Sequence, residues 1–397
     1  MSVYPLTGVV RPYAWGSRTI LAKLQGRSAP SEGPEAELWL GAHPGDPSTV
    51  TGPNGPISLA ILIAEDPKGQ LGSDVAGEFG SRLPYLMKVL AADVPLSLQA
   101  HPDAEYARRA FAAQDADATA PKNYTDPHHK PEMLVALTPF EALCGFRAPE
   151  VSAAVLEELN VPALAPGVTA LRAGVSGLRD AVRTFLTWPA DGRRPLVDAV
   201  VAAARARTTS AYASSYALAV ELAGHYPEDP GVLVALLLNH VRLEPGEAIW
   251  MPAGNLHSYL NGAGVEIMAA SDNVLRGGLT PKRVDVDELL RVLRFEVLGD
   301  PVLSPVEIAA GVVTWRVPAR EFALYRIRLD GAAGPISVPG TGPRIVLVTE
   351  GEVVVHEDED GGGSVTVRTG AAAYAPSDAG PLAVAGAGEV FVASVPE

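Results

Sequence analysis

The sequence predicts a mainly β protein interrupted by a block of α-helices, and three observations carry that reading. Residues 1 to about 147 hold short apolar runs separated by Pro and Gly, the pattern of strands and turns. From about Pro149 to His240 the chain becomes Ala- and Leu-rich with helical spacing. Leu196, Val197, Val200 and Val201 mark one apolar face there, and Leu218 and Leu222 another, so four or five helices are expected. After Val241 the β pattern returns, and from about Ser304 it is almost unbroken. A short helix is expected between, with Asp285 or Asp287 near its N-terminus and Leu289, Leu290, Val292 and Leu293 on its apolar side. Arg344–Val355 and Ser364–Arg368 read as a hairpin closed by the acidic turn Glu357–Gly363. The expected division is 1–148 with 241–303, an inserted helical unit at 149–240, and a C-terminal β unit at 304–397. Many short strands with Gly-rich turns suggest a sandwich or jelly roll.

Bulk properties restrict the function classes. A chain of 397 residues exceeds the usual size of one core, so two or three domains are expected. The net charge of −15 argues against nucleic acid or an anionic membrane as the main partner. A phosphorylated ligand would need a local basic cluster on that acidic background. The single cysteine, Cys144, excludes an internal disulfide framework, suits a reducing cytoplasm, and sits among apolar neighbours as a structural thiol. No signal peptide is visible at the N-terminus, and the longest apolar stretch, Val232–Leu238, is too short to span a bilayer. A cytoplasmic, monomeric protein is expected.

Four segments carry chemistry. In Pro95–Asp103, strand alternation puts Ser97, Gln99 and His101 on one face and Leu96, Leu98 and Ala100 on the other, as a barrel wall facing a polar pocket requires. In His128-His129-Lys130-Pro131-Glu132, Glu132 offers a hard oxygen at a strand start, and Lys130 shares its parity. Pro252-Ala253-Gly254-Asn255 reads as a turn delivering His257 onto a strand. In the fourth, Val265, Ile267 and Ala269 oppose Glu266, Met268, Ala270 and Asp272. A loop Asn273–Arg283 then sets Arg276, Lys282 and Arg283 around two glycines as an anion clamp. Taken singly, each segment also reads as a solvated edge, a surface turn or a satisfied core residue. Together they offer Gln99, His101, Glu132 and His257 as a metal set. Two imidazoles, a carboxylate and an amide oxygen suit zinc, and without a cysteine cluster such a site is expected to be catalytic rather than structural.

The same segments resemble the type I mannose-6-phosphate isomerases, a branch of the cupin superfamily. The matching runs are Tyr13–Ser17, Glu37–Pro44, Lys88–Leu90, Leu98–Pro102, His129–Met133, Phe140 with Leu143–Arg147, Pro252–His257 and Ser271–Lys282. The resemblance implies a cupin-type jelly-roll catalytic domain followed by a second jelly-roll-like β domain. It implies one zinc ion per chain on Gln99, His101, Glu132 and His257. It points to Arg276, Asp272, Lys130, His129 and Glu266 as catalytic, and to Trp15, Lys88, Ser97 and Lys282 as substrate-binding. The small departures, Gly277 and His128, touch no proposed ligand.

An aldose–ketose isomerisation of that kind moves a proton between C2 and C1 through an enediol, and so needs electrostatic stabilisation and a base near neutrality. Asp272, Glu266 and His129 are the candidates for the base. Two rival readings use the same residues: an iron oxygenase built on His101, Glu132 and His257, and a sugar-binding cupin without turnover. The C-terminal unit, with His356 as its only histidine, reads as structural.

Overall fold

The computed structural model describes residues 3–53, 55–117, 119, 121–332, 334–357 and 363–396. Most of the proposed turn between Glu357 and Gly363 therefore lies outside the described residues. Two antiparallel sheets dominate, each of eleven strands among the described residues. The first is built on Tyr85–Ala92, Glu132–Ala136, Phe140–Phe146, Ala248–Met251 and His257–Ala269, with Leu98–Ala100 and Leu275–Gly278 alongside. The second holds the C-terminal strands from Val306 to Ser394. It also takes in three N-terminal strands, because Tyr4–Thr7 pairs with Ala372–Ala375 on one side and Thr49–Gly52 on the other.

The long strand His257–Ala269 organises the first sheet. Its C-terminal half pairs with Tyr85–Ala92 and Glu132–Ala136, and its N-terminal end with Phe140–Phe146 and Gln99. The register shifts between Tyr259 and Asn261, where the wall bends. Gly262 follows at φ +114°, and a Cβ there would stand 2.6 Å from the Pro139 carbonyl, so only glycine fits the bend. Tyr85–Ala92 is buried along its whole length, which explains its nearly continuous apolar reading; Lys88 is its one charged member.

Alternation along these strands feeds a core shared by the two sheets. Met87, Val89, Met133, Val135, Val265 and Ile267 meet Trp315, Phe322, Ile345, Leu347, Tyr374 and Phe391. Between the sheets, the Tyr85 hydroxyl donates to the Pro343 carbonyl at 2.8 Å and lies 3.2 Å from that of Ala393.

The helical block spans six α-helices, from Pro149–Leu159 to Gly231–Ala235, rather than the four or five expected. The extra breaks arise because Ala165–Arg172 and Leu178–Leu186 are short helices joined by a 3-10 turn at Gly174–Gly177, and because part of the apolar stretch after Pro230 is itself helical. Its apolar faces pack with Leu98, Leu143 and Leu275 of the first sheet and with Leu256 just before the strand His257–Ala269. The short helix Val286–Val292 forms as expected, with Asp285 as its cap accepting from Glu288 N–H at 3.1 Å.

No helix among the described residues is long and apolar enough to cross a membrane. Replacing Tyr85 by Phe should remove a buried hydrogen bond between the sheets. It should lower unfolding free energy by about 1–2 kcal/mol, read as a fall in the denaturant midpoint with an unchanged slope.

Candidate metal centre

His101, Glu132 and His257 converge at the end of the first sheet. Glu132 Oε2 lies 3.3 Å from His101 Nε2 and 3.2 Å from His257 Nε2, and each side chain is 1% exposed. All three atoms are buried without a hydrogen-bond partner among the described residues. The other ring nitrogens explain why. His101 Nδ1 is 2.6 Å from the Asn273 carbonyl and His257 Nδ1 is 3.0 Å from the Asn255 carbonyl. A carbonyl can only accept, so each Nδ1 carries the hydrogen and each neutral Nε2 presents a lone pair. Two lone pairs and a carboxylate oxygen facing one another out of water repel, and a cation between them reverses the sign. The donor set is that of a divalent metal.

The local electrostatics agree. Burial pushes the His101 imidazole down to about 4, keeping it neutral. Burial alone would raise the Glu132 carboxyl, but the Lys130 ammonium holds it well below the usual carboxylate range. Lys130 Nζ sits 2.6 Å from Glu132 Oε1, on the side their shared parity required. The turn Pro252–Asn255 delivers His257 as anticipated, with Asn255 N–H donating to the Pro252 carbonyl at 3.1 Å. Gln99, the fourth expected ligand, is paired in register with both His257 and Arg276, between buried Leu98 and Ala100.

Lys88, Glu266, Asp272 and His129, also expected at the site, are held by partners of their own. Lys88 is 5% exposed and held between Glu266 Oε2 at 3.1 Å and Glu37 Oε1 at 3.4 Å. Burial would lower its ammonium, yet those carboxylates keep it above its ordinary value. Glu266 also accepts from the Tyr259 hydroxyl at 2.8 Å, and burial raises its carboxyl despite Lys88. Asp272 is half exposed and lies 3.3 Å from His43 Nε2. Gly45 N–H donates to His43 Nδ1, so His43 Nε2 donates to Asp272 and, with that bond as the main cause, holds the carboxyl below its usual value. His129 pairs with Glu321 at 2.6 Å.

Arg276 lies on the strand Leu275–Gly278 and not on a loop, a correction to the expected flexible clamp. The glycine beside it answers to packing. At Gly278 φ is +119°, and a Cβ would come within 2.7 Å of Gly231 Cα from the helical block. Arg276 is half buried, burial lowers its guanidinium, and it has no carboxylate partner among the described residues. Lys282 and Arg283 are exposed and line a cavity of about 670 Å³ against the helical block, a lining that does not include Arg276. Trp15 stacks on Tyr13 with ring centroids 5.8 Å apart, and Ser97 is partly buried before Leu98–Ala100.

Sequence reasoning assigned no role to Glu37, His43, Tyr259 or Glu321. Glu37 and His43 lie in one of the resembling runs, which was the available signal. Cys144 is buried and its thiol is pushed up to about 12 by burial, consistent with an inert role.

The buried triad has a pH signature in metal-stripped protein. The folded His101 value of about 4 lies below the ordinary 6.5, so the unfolded chain binds a proton that the folded chain refuses. Stability should therefore fall as pH drops from 6.5 toward 4. Glu132, depressed below 4.5, loses its contribution at still lower pH and acts in the same direction. Denaturant midpoints of the stripped protein should be lower at pH 5 than at pH 7; equal midpoints would contradict neutral burial of His101.

Comparison with known proteins gives this geometry a family. Residues 3–149 match the family model for the phosphomannose isomerase type I catalytic domain. The mannose-6-phosphate isomerase of Salmonella typhimurium is 35% identical over 404 residues, covering 97% of each chain. Mannose-6-phosphate isomerase 1 of Arabidopsis thaliana is 32% identical, covering 93% of this chain and 88% of that one. A crystal structure of a phosphomannose isomerase variant from Salmonella typhimurium superposes with a TM-score of 0.90 at 33% identity over the whole of both chains. A mannose 6-phosphate isomerase bound with zinc and yttrium does so with a TM-score of 0.88 at 32% identity. With its buried His–Glu–His centre in a cupin-type fold and relatives matched along nearly its full length, the chain belongs to the type I phosphomannose isomerase family.

Proposed function

We propose that this chain is a zinc-dependent aldose–ketose isomerase interconverting D-mannose 6-phosphate and D-fructose 6-phosphate, with one zinc ion per chain. The observation that carries the reading is the trio of buried, unpartnered donor atoms on His101, Glu132 and His257 in a member of this family. Gln99 is the fourth candidate ligand. Bound there, zinc supplies Lewis-acid polarisation of substrate oxygens without redox change.

The chain's own residues account for the rest. Conversion moves a proton from C2 to C1 through an enediol, and the developing enediolate needs positive potential aimed at it. Arg276 suits that role because its guanidinium is half buried and unpaired by any carboxylate among the described residues. Lys130 adds charge beside Glu132, and the exposed Lys282 offers an ammonium to a phosphate. Lys88 acts through Glu266, because two carboxylates already enclose it. Ser97 and Trp15 contribute polar and aromatic contacts to the pocket. Of the candidate bases, Glu266 is occupied by Lys88 and Tyr259, and Asp272 is held as a weakly basic carboxylate by His43. His129 stands out because Glu321 holds its Nε2 while its Nδ1 has no hydrogen-bond partner among the described residues.

The test is conversion of fructose 6-phosphate to mannose 6-phosphate before and after chelation. Activity should vanish with chelation and return with zinc. Oxygen uptake by iron-loaded protein, or sugar phosphate binding without turnover in zinc-replete protein, would overturn the proposal in favour of a rival reading. Arg276→Ala should lower kcat/KM by about 100-fold or more with zinc content unchanged; a loss below about threefold would remove Arg276 from the site.

A further inference from the structure

Glu321 comes from the second sheet, in the loop between Val312–Thr314 and Ala323–Asp330. Its neighbours anchor it. Trp315, Ala319 and Phe322 are buried in the core between the sheets, and the Phe322 ring meets Trp250 at 6.2 Å. Arg320 ties the same loop to Glu78 at 2.5 Å. Glu321 is 8% exposed, and a carboxylate so far from water needs partners. It accepts from Arg320 N–H at 3.2 Å and from His129 Nε2 at 2.6 Å.

That second contact determines the state of the imidazole. An ionised carboxylate cannot donate, so Nε2 carries the hydrogen, and the neutral form of the ring is the tautomer whose lone pair sits on Nδ1. Nδ1 has no hydrogen-bond partner among the described residues, and the side chain is 29% exposed. The backbone leading into it is fixed as well. Asn273 Nδ2 donates to the Asp126 and His128 carbonyls at 2.7 Å each, while the Asn273 carbonyl orients His101. One asparagine thus holds both a candidate metal ligand and the turn that presents His129.

We infer that Glu321 is a positioning residue for the isomerisation: from the second sheet it fixes the tautomer and orientation of His129, leaving Nδ1 to take the proton from C2 and return one to C1. The inference rests on the isomerase reading above. It gives the C-terminal β region a part in the chemistry, where its composition reads as structural only.

The experiment compares wild type, Glu321→Gln, His129→Ala and the double variant in one zinc-replete assay, with melting temperature and zinc content measured on each. Glu321→Gln should lower kcat by about 10- to 100-fold, with KM within about twofold and zinc content unchanged. In the His129→Ala background the same substitution should change kcat by less than about twofold, because its effect runs through the imidazole. Equal fold-losses in both backgrounds, or a Glu321→Gln enzyme with wild-type kcat, would overturn the inference. A wild type without isomerase activity would instead sink the reading beneath it. Nitrogen-15 NMR of histidine-labelled wild type, assigned against His129→Ala, gives an answer that does not depend on any variant at Glu321. The neutral form of His129 is expected to carry its hydrogen on Nε2, and a neutral form protonated on Nδ1 would contradict the inference.

Discussion

Three buried donor atoms that point at one another, His101 Nε2, Glu132 Oε2 and His257 Nε2, are the constraint on which the rest of the site depends. None has a hydrogen bond among the described residues, and both Nε2 atoms lie within 3.3 Å of Glu132 Oε2. The fold holds this repulsive arrangement with backbone carbonyls. Asn273 and Asn255 each accept from an Nδ1, which fixes the tautomer and aims Nε2 inward. The two acceptor carbonyls flank the long strand His257–Ala269, Asn255 lying just before it and Asn273 just beyond its end. Sheet geometry, ring tautomer and metal affinity are therefore one linked property of the chain.

Around that centre, charges are paired so that few remain open. Lys88 is enclosed by Glu37 and Glu266, Lys130 rests on Glu132, Asp272 faces His43 and Glu321 faces His129. A buried charge without a partner is costly, and the buried Lys88, Lys130, Glu132 and Glu266 each have one. Arg276 is left without a carboxylate among the described residues, in a chain whose net charge is −15. Against that background an unpaired, half-buried guanidinium concentrates the attraction for an anion in one place.

Much of this was legible in the sequence because it depends on local periodicity. Period-two alternation placed Leu98 and Ala100 in the core with Gln99 on the opposite face, and put Glu266 opposite Val265 and Ile267. The shared parity of Lys130 and Glu132 became a direct contact. What stayed hidden depends on pairings far apart in the chain. Nothing local announces that Tyr4–Thr7 adds to a C-terminal strand, that His43 meets Asp272, or that a lone acidic residue at 321 reaches His129. The glycines at 277 and 278 read as loop flexibility, whereas Gly278 lets the helical block approach the strand that carries Arg276. Local composition cannot distinguish those two uses of glycine.

Anomalous diffraction at the zinc edge from crystals of the zinc-loaded protein tests the central claim most directly. The account predicts one peak per chain, about 2.0–2.2 Å from His101 Nε2, His257 Nε2 and a Glu132 carboxylate oxygen, with both Nδ1 atoms still on their carbonyls. A peak elsewhere, or ligation through Nδ1 with the Asn273 and Asn255 contacts broken, would contradict it.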